Sequence, residues 1–307
     1  MIGWSIQECK SAKIKVLNPM ISSTGQDIML RVPAYLLEGD SRPDFFVQNG
    51  MKKKARPKNE FYEQVELVSK QENIPILIRE LPILRQISLG QTDKHTEFAD
   101  RWIRFSWNSF FMDEGIHPYD PTYNRWSELQ NKYNIEVMPQ KIRGDYVLFC
   151  LQLDGDSALN KLIYNNKKYK DYCCEEIKKI KKLTDRPILI RSHPLDKTVI
   201  EHIKKTFKDT IEYSDSPDLY YDLNRSYCMV TYNSTSSVES VLYGTPTIAL
   251  DSSAVTYPVA NNLVDIENLK EFDLTEWLKR IAFMQWQGKE LTSGYVWKLL
   301  KQTIELT

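Results

Sequence analysis

The chain has 307 residues, 42% hydrophobic and 27% charged, which suits a globular protein of two domains of about 150 residues each. Lys plus Arg and Asp plus Glu both number 41, so no overall charge draws the chain to nucleic acid or to an anionic membrane. No apolar run approaches the ~18 residues of a bilayer span, and residues 1–15 alternate apolar and polar without the apolar stretch of a secretion signal, so a cytoplasmic protein with no membrane insertion is expected.

In chain order, 13–17 reads as a strand and 18–25 as a polar loop. A short strand over 45–47 ends at Gln48-Asn49-Gly50. The one dense basic stretch follows, with Lys52, Lys53, Lys54, Arg56 and Lys58. It is a solvated loop by default and a phosphate-tracking face if the partner is nucleic acid. Phe61, Val65 and Val68 fall on one face of a predicted helix over 59–71. Residues 76–78 form a strand followed by Arg79-Glu80. The aromatic-rich 102–120 resists assignment, 123–133 is helical, and 136–144, with Pro139, is the linker. From there strands over 146–151, 187–190, 211–213, 228–232 and 247–250 alternate with helices over 169–183, 198–207, 218–225 and 237–243. Helices over 273–285 and 294–305 end the chain. Such alternation implies an α/β fold with a parallel sheet covered on both faces. Cys9, Cys150, Cys173, Cys174 and Cys228 are odd in number and lack zinc-site spacing. Cys150 and Cys228 fall within predicted buried strands.

Two strand ends carry the chemistry. Arg191-Ser192-His193-Pro194 closes one apolar run, and Asn233-Ser234-Thr235-Ser236-Ser237 closes another about forty residues later. Ligands of open parallel sheets bind beyond the carboxyl ends of the strands, and small hydroxyl residues at a helix start suit an anion. Ser234, Thr235 and Ser237 are therefore candidate phosphate donors. Equally, Ser236 and Glu239 fit an ordinary capping box. Pro194 restricts His193 to extended backbone, which would hold its imidazole against a base or ribose, with Arg191 beside it. After the strand over 146–151, Asp154 and Asp156 could share a divalent cation, but no further oxygen ligands lie nearby. A turn with Gly155 supplying backbone freedom is expected, and neither metal nor cofactor. Glu80, at a strand's carboxyl end, is either a general base or an ion-pair partner of Arg79 or Arg85.

These segments resemble the capsule-polysaccharide sugar transferases of the Kdo-transferase type. That family shows L-Q-x-x-G-D-S, H-P after a strand, and N-S-[ST] before a helix ending in G-x-P. Here they read Leu151-Gln152-Leu153-Asp154-Gly155-Asp156-Ser157, His193-Pro194, Asn233-Ser234-Thr235 and Gly244-Thr245-Pro246. Glu80, Arg85, Leu89 and Gly90 match the family's E-D-G-F-x-R-S-x-x-L-G, with Leu81 in place of its second acid. Residues 75–300 look closer still to bacteriophage relatives, through Arg104-Phe105-Ser106-Trp107-Asn108, Arg125-Trp126 and the Trp-rich tail.

The resemblance implies a GT-B glycosyltransferase: two Rossmann-like domains with the active site in the cleft between them. It implies an acceptor domain over 1–140, a nucleotide-sugar domain over 141–285, and a helix over 286–307 packing back across both. Gln152, Asp156, Ser157, Arg191, His193, Pro194, Asn233, Ser234, Thr235, Ser237 and Glu239 are the donor residues it implies. Glu80 is the candidate base, with Asp113 and Glu114 in reserve. The donor expected is a UDP-sugar, UDP-arabinose being one example. The acceptor expected is a 5-hydroxymethylated pyrimidine in double-stranded phage DNA, modified in the host cytoplasm. Such a base would flip out and stack on aromatics such as Trp107, although core packing is the commoner role of the run Trp102, Phe105, Trp107, Phe110 and Phe111. The alternatives are transfer from CMP-Kdo to a capsule or lipopolysaccharide glycan, and a non-catalytic nucleotide- or sugar-binding accessory protein.

Overall fold

The computed structural model describes residues 1–6, 17–51, 60–88, 97–165 and 167–305. The basic stretch 52–58, Cys9 and most of the strand predicted over 13–17 lie outside the described residues. The strands are β1 (Ile2–Ile6), β2 (Ile28–Val32), β3 (Phe45–Asn49), β4 (Ile76–Glu80), β5 (Trp102–Trp107), β6 (Tyr146–Cys150), β7 (Ile188–Arg191), β8 (Glu212–Tyr213), β9 (Ser226–Thr231), β10 (Thr247–Ala249) and β11 (Gln285–Gln287). They form two sheets, one in each of two compact units. The first unit comprises Met1–Asn134 with Leu278–Thr307, and the second Ile135–Trp277. This is the two-Rossmann-like-domain α/β fold.

In the first unit the sheet order is β11-β5-β4-β3-β1-β2. Strands β1 to β4 are mutually parallel, and β5 and β11 add an antiparallel edge. Side chains alternate between faces with period two. Phe45, Val47, Leu77, Phe105 and Trp107 meet Trp286 and Trp297 on one face, while Phe46, Ile76 and Ile78 meet Val65 and Val68 on the other. Covered on both sides, the strands carry no clean apolar–polar alternation. Within the segment 102–120, which has no readable period, β5 over 102–107 shows why: all six of its residues are buried, Arg104 and Ser106 included. Nor did sequence pattern mark β1, whose Gly3 lets the Phe45 ring come within 2.4 Å of where a Cβ would stand.

The second unit has the order β10-β9-β6-β7-β8, with every pairing parallel. The predicted helices Tyr169–Leu183 and Thr198–Phe207 form with those bounds. The first buries Cys173, Ile177 and Ile180, spaced three and four apart. Gly244 ends the Ser236–Leu242 helix region at φ +73, its backbone so close to Pro139 that an added Cβ would lie 2.3 Å from the carbonyl oxygen. Cys150 and Cys228 are core residues, and burial pushes the Cys150 thiol up to about 12. No described helix is long and apolar enough to cross a membrane.

Candidate functional site

The chain of the second unit starts at β6, moves outward through β7 and β8, then returns to the other side of β6 for β9 and β10. The direction of winding therefore switches between β6 and β9, and the loops leaving their carboxyl ends diverge there. In open α/β sheets that divergence makes the ligand crevice. The strand end at Asn233 opens onto it from β9, and the one at Arg191 leaves the same edge of the sheet from β7, on the far side of β6.

Side chains sew these loops to one another. Gln152 after β6 and Asn233 after β9 form a reciprocal pair: Gln152 Nε2 donates to Asn233 Oδ1 at 2.8 Å, and the Asn233 amide donates to Gln152 Oε1 at 3.0 Å. Asn233 Nδ2 donates to the Ala158 carbonyl at 2.8 Å and to Ser253 Oγ, beyond β10, at 2.7 Å. On the other flank, the Asp154 amide donates to Asp196 Oδ2 at 2.8 Å, tying the β6 loop to the β7 loop. Asp156 caps the short turn that follows, accepting from the Ala158 amide at 3.0 Å and from Ser157 Oγ at 3.3 Å. Gly155 takes φ +72, as the turn reading required.

Several expectations are corrected by this network. Gln152 and Asn233 are buried and use their amides on each other and on neighbouring loops, so their side chains hold the edge together. Ser237 is fully buried, donating to the Ser234 carbonyl at 2.6 Å and accepting from Thr256 Oγ1. Glu239 and Ser157 are buried as well. No capping box forms at Ser236, because Thr235 occupies the cap position in helical conformation without a side-chain cap bond. Arg191 is occupied too. Its NH1 bonds the fully buried Asp222 carboxylate and the Ser216 carbonyl, and its NH2 the Pro217 carbonyl. A buried carboxylate demands such a partner, so Arg191 shapes the 214–222 loop.

At the surface of this edge stand Ser234, Thr235, Ser236, His193 and Pro194. Ser234 and Ser236 hydroxyls lie 2.9 Å apart. His193 Nδ1 accepts from the Leu195 amide at 3.2 Å, which turns the ring's Nε2 outward as the free nitrogen. Sequence reasoning missed Asp196 and Lys197. The legible signal was Asp-x-Thr: Asp196 Oδ1 accepts from both the amide and the hydroxyl of Thr198 at 2.7 Å. Lys197 Nζ reaches Ser192 Oγ at 3.4 Å, placing an exposed cation at the end of the β7 loop. Among the described residues no group of three or more His, Cys, Asp or Glu is arranged to hold a metal.

Burial pushes the Asp196 carboxyl up, but bonds from Asp154 and Thr198 outweigh it and hold the group below its ordinary range. Its folded pKa is thus depressed. The tie contributes stability above the unfolded carboxylate range and loses it as pH falls through the folded value. We expect the protection factor of the Asp154 amide to fall as the pH drops below the ordinary carboxylate range of about 4. Asp196→Asn should flatten that dependence, and an unchanged profile would show that the tie does not depend on the carboxylate.

In the first unit, Glu80 closes β4 and is half-buried, with Oε1 accepting from the Leu81 amide at 2.9 Å. The ion pair with Arg79 does not form: Arg79 NH1 bonds Asn49 Oδ1 at 2.8 Å instead. Asp113 and Glu114 are exposed on the loop after β5. Trp107 as an aromatic platform for a flipped base is corrected. It is fully buried, donates from Nε1 to the Leu300 carbonyl at 2.9 Å, and packs against Phe45 and Trp297.

No family model and no curated protein matches the chain. Among solved structures it is similar to the KpsC β-Kdo 2,4-transferase of Thermosulfurimonas dismutans, at 14% identity over 92% of this chain and 91% of that one, TM-score 0.56. It also matches the KpsC β-Kdo 2,7-transferase of the same organism, at 10% identity over 96% and 99% of the two chains, TM-score 0.48. A third match is the UDP-GlcNAc 2-epimerase of Neisseria meningitidis bound to UDP-GlcNAc, at 12% identity over all of both chains (100% and 100%), TM-score 0.31. The first likeness shows the fold, the two-Rossmann-like GT-B class.

Proposed function

We propose that this protein is a metal-independent glycosyltransferase that moves a sugar from a nucleotide-sugar, of the UDP-sugar class, to an acceptor hydroxyl. The observation that carries the reading is the hydroxyl cluster of Ser234–Ser236 leaving β9 at the β6/β9 switch point of an all-parallel sheet, with the His193 loop leaving the same carboxyl edge from β7. A nucleotide there would set its base or ribose near His193 Nε2. Its phosphates would lie on the hydroxyls of Ser234, Thr235 and Ser236, with Lys197 supplying the cation that Arg191 does not. Negative charge grows on the phosphate as the glycosidic bond breaks, and fixed donors stabilise it without reorganising. Glu80 would take the acceptor proton, with Asp113 and Glu114 the other carboxylates available.

The acceptor we favour is a 5-hydroxymethylated pyrimidine in phage DNA, on the basic stretch 52–58 and the resemblance to phage relatives. The test incubates hydroxymethylcytosine DNA with a panel of nucleotide sugars, with and without EDTA, and reads the nucleosides by mass spectrometry. A sugar-bearing nucleoside, undiminished by EDTA, is the expected result. Transfer from CMP-Kdo to a glycan instead would overturn the acceptor. Neither transfer nor donor hydrolysis would overturn the enzyme. Alongside, His193→Ala should weaken UDP or CMP binding about tenfold, roughly 1.4 kcal/mol, by calorimetry, with the fold intact because the side chain is half-exposed. Equal affinity would remove His193 from the site.

A further inference from the structure

Arg104 sits in the middle of β5, is 4% exposed, and has neither a hydrogen-bond nor an ion-pair partner among the described residues. The Phe110 ring lies under it, 5.1 Å from the guanidinium carbon. Glu80 is its direct cross-strand partner in the β4–β5 register, yet the two make no ion pair. Burying an unpaired charge is costly, and native proteins seldom tolerate it without a reason.

The position of Arg104 supplies the reason. The register aligns Gln48 with Ile78 and Ile78 with Ser106. One alternation further along, Glu80 and Arg104 lie on that same face, at the carboxyl end of parallel β3 and β4, where ligands of such sheets bind. Two other buried polar atoms in this region also lack partners: Gln48 Nε2 and His117 Nδ1. His117 Nε2 is 3.1 Å from the Phe111 carbonyl, so it carries the proton, and Nδ1 is left as an acceptor. Burial, aided by the Arg104 charge, pushes the imidazole down to about 4, so no second cation competes with the guanidinium.

We propose that Arg104, Gln48 and His117 form an oxyanion-binding site in the first unit. The guanidinium fork and the Gln48 amide donate to a carboxylate or phosphate, and His117 Nδ1 accepts from a hydroxyl on the same molecule. Arg is suited to this because its planar donors match both anions. The site stands whether or not the transferase reading does, since it is read by binding alone.

The experiment is a melting-temperature titration with inorganic phosphate and, separately, with glucuronate, each against sodium chloride of equal ionic strength. A ligand bound only by the folded state raises the midpoint, and we expect a rise of about 2–4 °C with at least one anion at roughly five times its dissociation constant. Which anion responds separates phosphate from carboxylate as the natural group. Arg104→Met should abolish the response and, by removing an unpaired charge, melt no lower than the wild type without anion. If that variant does not fold, Arg104→Lys, which keeps the charge but loses the fork, should need at least tenfold more anion, and Gln48→Leu should also weaken the response. No rise beyond chloride, or a rise retained in the Arg104 variants, overturns the proposal.

Discussion

Arg125→Met is expected to cost the first unit about 3–5 kcal/mol, the loss typical when one partner of a buried charged network is removed. Arg125 is 2% exposed and opens the helix Arg125–Tyr133. Its guanidinium grips Glu290 with both nitrogens, at 2.7 and 3.0 Å, and bonds the carbonyls of Ala282 and Gln285 at 3.0 Å each. It also stacks on Trp286, 3.7 Å from the ring centroid. Every one of these partners lies in the returning segment that supplies β11, so one side chain fastens 282–290 to the rest of its unit. Urea unfolding measures the loss. Hydrogen exchange of the β11 amides locates it, and those amides should lose protection first. Arg125→Lys should recover little, because an ammonium cannot serve a bidentate carboxylate and two carbonyls at once. A loss under about 1 kcal/mol would show that apolar packing alone docks the segment.

Asn233→Ala should be the second large effect. It removes three hydrogen bonds and leaves the buried Gln152 amide and the Ala158 carbonyl unsatisfied. About 1–3 kcal/mol for each group left unmatched gives an expected loss of about 2–4 kcal/mol, since neighbouring terms do not add fully. Because Asn233 joins loops leaving β6, β9 and β10, affinity for the nucleotide proposed above should fall with stability. Gln152→Leu should reproduce both losses, and the double variant should be less harmful than the sum of the two. Strict additivity in that cycle would show that the pair is not a unit.

Residue pattern alone was enough to place most of the second unit, since a parallel sheet is built from local repeats: a short apolar run, a turn, an amphipathic helix. Tyr169–Leu183 and Thr198–Phe207 carry their helical period in the chain itself. The strand ends at His193 and Ser234 follow because a parallel strand must deliver its next residues to the ligand edge. The antiparallel edge of the first unit was not legible. Strand β5 hides Arg104 and Ser106 inside, and three-residue β11 is set by pairing with a strand about 180 residues earlier. Tertiary structure alone also decided which polar residues are free. Asn233, Ser237 and Arg191 have the chemistry of ligand contacts in the sequence, but once the loops meet Gln152 and Thr256 donate to the first two and Asp222 accepts from the third. Arg104 is the converse, a cation to which the sequence assigns no element, that the fold buries and leaves unmatched. Donor and acceptor types are written in the chain, whereas satisfaction depends on partners brought from far along it.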